Sequence, residues 1–276
     1  MTRFVVVPQW QGSPAARAML LVDGAEAIAG DLPRASSTRI DVPLEAGESL
    51  GSPVRRLSSL TRIRDLVLAE LAGHDERPDG VEPAIVIGGD CGVAVPAIAH
   101  AATRHPGMAV VWFDAHGDLH SPDTSPSGAF AGMALRAVFG DGELSAGGVV
   151  APDRVVLAGA REFEDAESAL IESAGIRVLT VAELDDPRTL AGAVAATGAG
   201  AVYIHVDLDV LDPAAMTGLT SAVPFGLAVA AVTASIAALR ERLPLAGASV
   251  CGFAPATPAA AVDDLGSILR IVGSLA

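Results

Sequence analysis

The chain is poor in cysteine, aromatic residues and basic residues. Its only two cysteines, Cys91 and Cys251, cannot form the disulfide framework of a small secreted domain, and they predict a reduced, cytoplasmic location. Lysine and arginine number 18 against 33 acidic residues, giving a formal net charge of −15. That balance argues against non-specific binding to nucleic acid or to an anionic membrane. Aromatic residues make up 4% of the chain, so we expect a core of alanine, valine and leucine.

Long hydrophobic runs and leader signals are also lacking. No apolar run approaches the length of a transmembrane span, and the apolar run at residues 4–7 is too short for a signal peptide. The first predicted strand is not followed by Gly-x-Gly-x-x-Gly, which argues against a dinucleotide-binding fold. No linker divides the 276 residues. We therefore predict a single domain over residues 1–276.

Predicted strands and helices alternate along the chain. Such a βα repeat predicts an α/β fold with a mostly parallel sheet and helices on both of its faces. The predicted strands are residues 4–7, 39–42, 84–87, 108–113, 154–158, 177–180, 201–206 and 248–251. The predicted helices are residues 14–29, 53–71, 96–103, 129–139, 164–173, 227–243 and 259–274. A charged surface turn is predicted at residues 73–80.

Three short acidic clusters lie at residues 88–91, 114–118 and 207–209, and none contains a lysine or arginine. The last two clusters follow apolar strands, and ligands bind at the carboxyl ends of strands in open α/β sheets. Crowded carboxylates are costly unless a cation joins them. The alternative is that these aspartates cap helices and form turns. We predict a metal centre, with candidate ligands Asp114, His116, Asp118, Asp207 and Asp209.

The motifs Gly88-Gly89-Asp90-Cys91, Asp114-Ala115-His116-Gly117-Asp118 and Asp207-Leu208-Asp209 resemble, in this order, those of the ureohydrolase superfamily. That superfamily includes arginase, agmatinase and formimidoylglutamase. The resemblance implies one arginase-like domain of three α/β/α layers, a small-molecule substrate and a homo-oligomer, either a trimer or a hexamer. It also implies two manganese ions whose bridging hydroxide attacks a guanidino or amidine carbon.

The resemblance also implies a role for each ligand. Asp114 and Asp207 would bridge the two metals. His116 and Asp209 would complete one site, called site B. Asp118 and position 91 would complete the other, called site A.

Cys91 stands where the family has histidine. A thiolate favours zinc, iron or cobalt over manganese. Either site A binds such a metal or it is empty and the protein works with one ion, as the similar histone-deacetylase-like amide hydrolases do with one zinc. Cys91 could instead be a small packing residue at a tight turn, whereas a Cys91–Cys251 disulfide is not expected in a reduced location.

The substrate side departs further from the family pattern. Ser127 is kept, but His120 and Ala129 replace asparagines and Ala131 replaces the histidine that handles protons. Gly252 aligns with the glutamate that holds the guanidinium. Losing that charged contact would cost roughly 1.5–3 kcal/mol. We therefore expect a less basic amidine, a hydroxyguanidine or an amide as substrate, and poor turnover of arginine or agmatine.

Two further histidines are candidates for the site. His120 follows the metal loop and is assigned, with Ser127, to substrate binding or proton transfer; the alternative is a solvated loop histidine. His205 has the same strand parity as Asp207, so it could support the metals from below or be a core histidine. With Asp118, these two histidines form the catalytic candidates.

These features predict a metal-dependent hydrolase of a linear C–N bond in an amidine, guanidino or hydroxyguanidino compound. A hydroxyarginine-hydrolysing branch of the superfamily is similar around Cys91 and before Asp207. The alternative is a catalytically weakened binding or regulatory subunit, which Ala131 and Gly252 favour. The intact set of site B ligands opposes that alternative.

Overall fold

All eight strands belong to one parallel sheet in a computed structural model that describes residues 2–75 and 82–276. The strand order is β2-β1-β3-β8-β7-β4-β5-β6, and every pairing between these strands is parallel. The strands are β1 Arg3–Val7, β2 Ser37–Arg39, β3 Ala84–Gly88, β4 Ala109–Phe113, β5 Val155–Ala158, β6 Arg177–Leu179, β7 Val202–Asp207 and β8 Leu245–Cys251.

Helices connect the strands. They are α1 Leu20–Gly30, α2 Leu57–Asp75, α3 Ala94–Arg104, α4 Ala134–Val138, α5 Asp165–Ala174, α6 Arg188–Ala196, α7 Val229–Arg240 and α8 Pro258–Leu275. Short 3₁₀ turns lie at Arg34–Ser36, Cys91–Val93, Ala131–Met133, Pro152–Arg154, Ala182–Asp185 and Leu208–Val210. None of the helices within the described part of the chain is long and apolar enough to cross a membrane.

The alternating side chains of the strands build one hydrophobic core on each face of the sheet. On β4, Val111 and Phe113 belong to one core, and Val110 and Trp112 belong to the other. Helices α1, α6, α7 and α8 cover the first face, and α2, α3, α4 and α5 cover the second. The predicted three-layer α/β/α fold is therefore confirmed, and the sheet is wholly rather than mostly parallel.

Several predicted boundaries were wrong. The helix predicted from residue 14 begins at Leu20, because the preceding segment forms turns and the Gly12 amide donates to Asp90 Oδ2 at 2.8 Å. The helix predicted at 129–139 is a 3₁₀ turn followed by the short α4. Helix α6 was missed. The turn predicted at 73–80 is helical through Asp75, and residues 76–80 lie outside the described residues.

Strand order brings the three acidic clusters together. The central strands β3, β8, β7 and β4 are neighbours, and the clusters follow β3, β4 and β7 at their carboxyl ends. In a parallel sheet these ends share one edge. Segments more than a hundred residues apart therefore meet at that edge.

Candidate metal centre

The carboxyl edge of the sheet opens into a cavity of about 780 Å³. All six predicted metal ligands line it: Cys91, Asp114, His116, Asp118, Asp207 and Asp209. The cavity lies outside the β4 and β7 termini, where ligand sites of α/β sheets are expected. The fold thus gathers the candidate ligands at one place.

Asp114, His116 and Asp209 offer ligand atoms that lie within 4.8 Å of one another. His116 Nδ1 is 3.2 Å from Asp114 Oδ1 and 3.1 Å from Asp209 Oδ2. The main chain holds both carboxylates, because the His116 amide donates to Asp114 Oδ1 at 2.7 Å and the Ala115 amide donates to Asp209 Oδ1 at 3.1 Å. Three of the four predicted site B ligands therefore converge.

The pKa values reflect this crowding of carboxylates. Burial, together with the Asp114 charge, raises the pKa of Asp209 to about 6. Burial lowers the pKa of His116, but its hydrogen bonds to Asp114 and Asp209 outweigh burial and raise the pKa to about 12. The imidazolium thus supplies part of the positive charge that these carboxylates require.

Cys91, Asp114 and Asp118 form a second group of ligand atoms within 4.8 Å. Asp118 adopts a left-handed backbone conformation (φ 52°), and its Oδ2 is buried without a hydrogen-bond partner in the described part of the chain. Burial and the Asp114 charge raise the Asp118 pKa well above its ordinary value. A buried, unpartnered carboxylate oxygen is costly, so the residues present fit a cation.

Asp114 belongs to both groups, in accordance with a bridging ligand, but Asp207 belongs to neither group. Asp207 Oδ1 accepts the Asp209 amide at 2.8 Å. Its Oδ2 lies 2.8 Å from Cys91 Sγ and 3.4 Å from Cys251 Sγ. Burial and the Asp209 charge raise its pKa to about 7. Asp207 thus borders the cavity while one of its oxygens faces two thiols.

A sequence profile of the arginase family matches residues 28–265. The chain belongs to the arginase family. The N(omega)-hydroxy-L-arginine amidinohydrolase of Streptomyces lavendulae is 29% identical over 239 residues, which are 84% of this chain and 83% of that protein. The arginase of Bacillus caldovelox is 32% identical over 202 residues, covering 68% of this chain and 67% of that protein. The Entamoeba histolytica arginase structure shares the fold, with a TM-score of 0.84 at 19% identity over 99% of this chain and 97% of that one.

Cys251 was missed as a neighbour of this arginase-family site. It ends β8, pairs in register with Asp207 of β7, and is fully buried. Its Sγ lies 3.2 Å from Cys91 Sγ, and both cysteines are free thiols. The sequence held no signal for this contact, because β8 lies between β3 and β7 only in the folded sheet.

Arg161 was also missed. It lines the cavity, and its guanidinium donates to five main-chain carbonyls. They are those of Gly159, of Asp209 and Val210 after β7, and of Val223 and Pro224. These bonds fix the turn that carries Asp209. Arg161 therefore adds a second positive charge to the site, beside that of the His116 imidazolium.

Four of the residues predicted for the substrate side line the cavity, namely His120, Ser127, Ala131 and Gly252, whereas Ala129 does not. His120 is buried rather than solvated. Its Nδ1 is 3.2 Å from Thr124 Oγ1, and its Nε2 is 3.5 Å from Glu164 Oε1. Ser127 Oγ accepts the Ala129 amide at 3.2 Å. His120 is thus an imidazole in the cavity wall with an acidic neighbour.

His205 is fully buried and is not part of the cavity lining. Its ring lies against Trp112 with 3.8 Å between centroids, and Nδ1 is 2.7 Å from Ser249 Oγ. Its Nε2 is 3.7 Å from Cys251 Sγ. Burial lowers its pKa to about 3, which keeps the imidazole neutral. His205 therefore contacts the thiols and does not reach the substrate space.

Gly252 adopts φ 87°, and a Cβ atom there would lie 2.2 Å from Asp207 Oδ1. A side chain at this position would combine a strained left-handed backbone with a clash against a candidate metal ligand. The local backbone therefore excludes the family's glutamate unless Asp207 moves.

Proposed function

We propose that the chain is a metal-dependent hydrolase of a C–N bond in a small amidine or hydroxyguanidino compound. The observation that carries the proposal is the convergence of Asp114, His116 and Asp209 at the cavity. The unpartnered Oδ2 of Asp118 supports the metal dependence, because a buried carboxylate oxygen without a partner is costly unless a cation binds it.

Asp114, His116 and Asp209, with Asp207, would hold a divalent cation in site B. Their oxygen and imidazole donors suit manganese, whereas Cys91 in site A suits zinc, iron or cobalt, so we expect one or two ions. The cation would supply a Lewis acid that polarises the substrate and makes a water molecule acidic. The main-chain amides of Ala115 and His116 hold the carboxylates in position for it.

Proton transfer and substrate orientation would depend on other residues of the cavity wall. Ala131 cannot move a proton, but the His120 imidazole lines the cavity with Glu164 beside it. Glu162 and Glu164 lie in the cavity wall with side chains 59% exposed. The Glu162 carboxylate could bind an ammonium group of the substrate, whereas Glu164 also lies beside His120 and caps α5.

The substrate class follows from Gly252. No carboxylate occupies that position to pair with a charged guanidinium, so a less basic hydroxyguanidine or amidine loses less than arginine does. The Streptomyces lavendulae relative, named for hydroxyarginine, supports this choice. The relative named arginase makes arginine the competing substrate.

The test is hydrolysis of N(omega)-hydroxy-L-arginine, arginine and agmatine by protein loaded with manganese, zinc or cobalt. We expect kcat/KM for the hydroxyguanidine to exceed that for arginine by at least about tenfold, the ratio given by about 1.4 kcal/mol of lost contact. Efficient arginase activity would contradict the substrate class. Metal binding without turnover of any of the three, or of related amidines and amides, would instead support the regulatory-subunit alternative.

We also propose that the protein acts in the cytoplasm as a homo-oligomer, a trimer or a hexamer by family resemblance. The free thiols of Cys91 and Cys251 support a reducing compartment. Light scattering coupled to size-exclusion chromatography measures the assembly, and a monomer at assay concentration would contradict it.

A further inference from the structure

Two thiols lie close together beside Asp207, on segments that are far apart in sequence. Cys91 lies in the turn after β3 and Cys251 ends β8, and both are at most 4% exposed. Their sulfur atoms are 3.2 Å apart, closer than sulfurs in ordinary packing yet far from the bonded distance of about 2.05 Å. The proposed hydrolase uses neither sulfur as a required ligand.

A neutral imidazole completes this group. Register pairs His205 with Ser249 across β7 and β8, and the 2.7 Å contact between Nδ1 and Ser249 Oγ orients the ring. Its Nε2 then faces Cys251 Sγ at 3.7 Å. A hydrogen bond at one ring nitrogen commonly orients the other toward a metal.

The separations approach those of a tetrahedral soft-metal site. Zinc binds sulfur at about 2.3 Å and nitrogen at about 2.0–2.1 Å, which places tetrahedral ligands about 3.4–3.8 Å apart. The observed sulfur–nitrogen separation of 3.7 Å lies within this range, and the sulfur–sulfur separation of 3.2 Å is shorter than it. Asp207 Oδ2 lies 2.8 and 3.4 Å from the two sulfurs. Three ligand atoms and an adjacent carboxylate are therefore in place.

We propose that Cys91, His205 and Cys251, with Asp207 alongside, form a binding site for a thiophilic divalent cation such as Zn²⁺. The site shares Cys91 with site A and Asp207 with site B. It differs from both by His205 and Cys251, which the proposed hydrolase does not require. Binding displaces the thiol protons to solvent and forms metal–thiolate bonds without any change of oxidation state. The bound cation would link the ends of β3, β7 and β8 and would fix the Asp207 carboxylate from the side of the thiols.

The test uses cobalt as a spectroscopic substitute for zinc, with the full chain stripped of metal and reduced until both thiols are counted as free. We expect near-ultraviolet thiolate-to-cobalt absorption and intense visible bands of tetrahedral cobalt, both displaced by Zn²⁺. Cys251→Ser should lose most of this absorption. Asp209→Asn, which removes a site B ligand, should keep it, so the result is independent of the proposed hydrolase activity.

Cys251→Ala provides the same test if Cys251→Ser does not fold, and circular dichroism checks both variants. His205→Gln should weaken cobalt binding at least about tenfold, as expected for a lost ligand. Absence of thiolate bands in the reduced wild-type protein would overturn the proposal. Bands that survive Cys251→Ser unchanged would also overturn it, because Cys91 alone would then be the thiolate ligand.

Discussion

At the residue scale, Gly252 shows how one departure from a family pattern can be enforced by its surroundings. Position 252 disfavours any side chain, and not only a carboxylate. Its φ of 87° is strained for residues other than glycine, and Asp207 leaves no room for a Cβ atom. Replacing the glycine with the family's residue is therefore not a restoration.

We predict that Gly252→Ala weakens metal binding and destabilises the fold by more than backbone strain alone. Gly175→Ala is the matched control, because Gly175 has φ 68° and nothing within 4 Å of its Cβ position. Strain should cost the control about 1–2 kcal/mol. Urea unfolding and metal titration of both variants check this. If both variants lost equal stability and kept the wild-type metal affinity, the result would show that a side chain at position 252 does not displace Asp207.

A second residue-scale prediction distinguishes a metal ligand, Asp209, from a nearby aspartate, Asp212, that holds only main-chain amides. Asp209→Asn should lower metal affinity at site B at least about tenfold and abolish hydrolysis, because Asp209 is one of the converging ligands. Asp212→Asn is the control. Asp212 accepts the Ala214 and Gly226 amides at 2.9 and 3.0 Å, so it should change stability and leave metal affinity within about twofold. Isothermal titration with Mn²⁺ measures both, and equal effects would refute the assignment.

The residues of the site were predictable where the signal was local. Asp114 and His116 follow a buried strand, and the spacing of Asp207 and Asp209 places them together after another. Cys251 and Arg161 were not predictable, because their positions depend on strand order and on a loop that folds back over the site. His205 was predicted near the metals from its strand parity, yet its contacts with Trp112 and Ser249 required the sheet.

At the scale of elements, the start of α5 supports the metal loop. Glu164 and Glu167 form a reciprocal capping box. Glu167 is buried, and its Oε1 also accepts the Leu119 amide at 3.0 Å. The carboxylate thus joins the helix to the segment that carries His116 and Asp118. Sequence periodicity located the helix correctly, but it gave no indication of this second contact.

We predict that Glu167→Ala destabilises the protein by about 1–3 kcal/mol, because two main-chain amides lose their acceptor. The metal loop should loosen as well, so metal affinity should fall. Glu172→Ala on the exposed face of the same helix is the control and should change stability by less than about 0.5 kcal/mol. Thermal unfolding with and without Mn²⁺ measures both effects. A loss of stability without any loss of metal affinity would show that Glu167 caps the helix and does not support metal binding.

At the scale of the whole molecule, the chain places several acids of a strongly acidic protein in one buried region. Burial raises the pKa of Asp90 to about 6 as well as those of Asp207 and Asp209. The overall fold, by contrast, was predictable because apolar strands and amphipathic helices alternate throughout. Only the strand order, which mixes early and late strands, could not be inferred from that alternation.

We predict that stability of the metal-free protein falls as pH rises from about 4 to 8. The folded pKa values of Asp207 and Asp209 are about 7 and about 6, above their ordinary value of 3.8, so the folded state binds more protons in this window. The stability present below pH 4 is lost as pH rises through those values, by on the order of a few kcal/mol. His116, whose pKa is raised to about 12, also lowers the stability of the metal-free protein as pH rises above 6.5.

Bound metal should reverse this trend, because a cation binds the deprotonated carboxylates and is displaced by protons. Urea unfolding at pH 5 and pH 8, in chelator or in Mn²⁺, measures both slopes. Asp207→Asn provides the matched control, since it removes one titrating group from the cavity and should flatten the metal-free slope. Metal-free stability that rises across this window in the wild type, with the same slope in the variant, would mean that other groups govern the pH dependence. Stability that falls with pH in chelator and rises with pH in Mn²⁺ would instead show that a bound cation offsets the free-energy cost of burying these carboxylates.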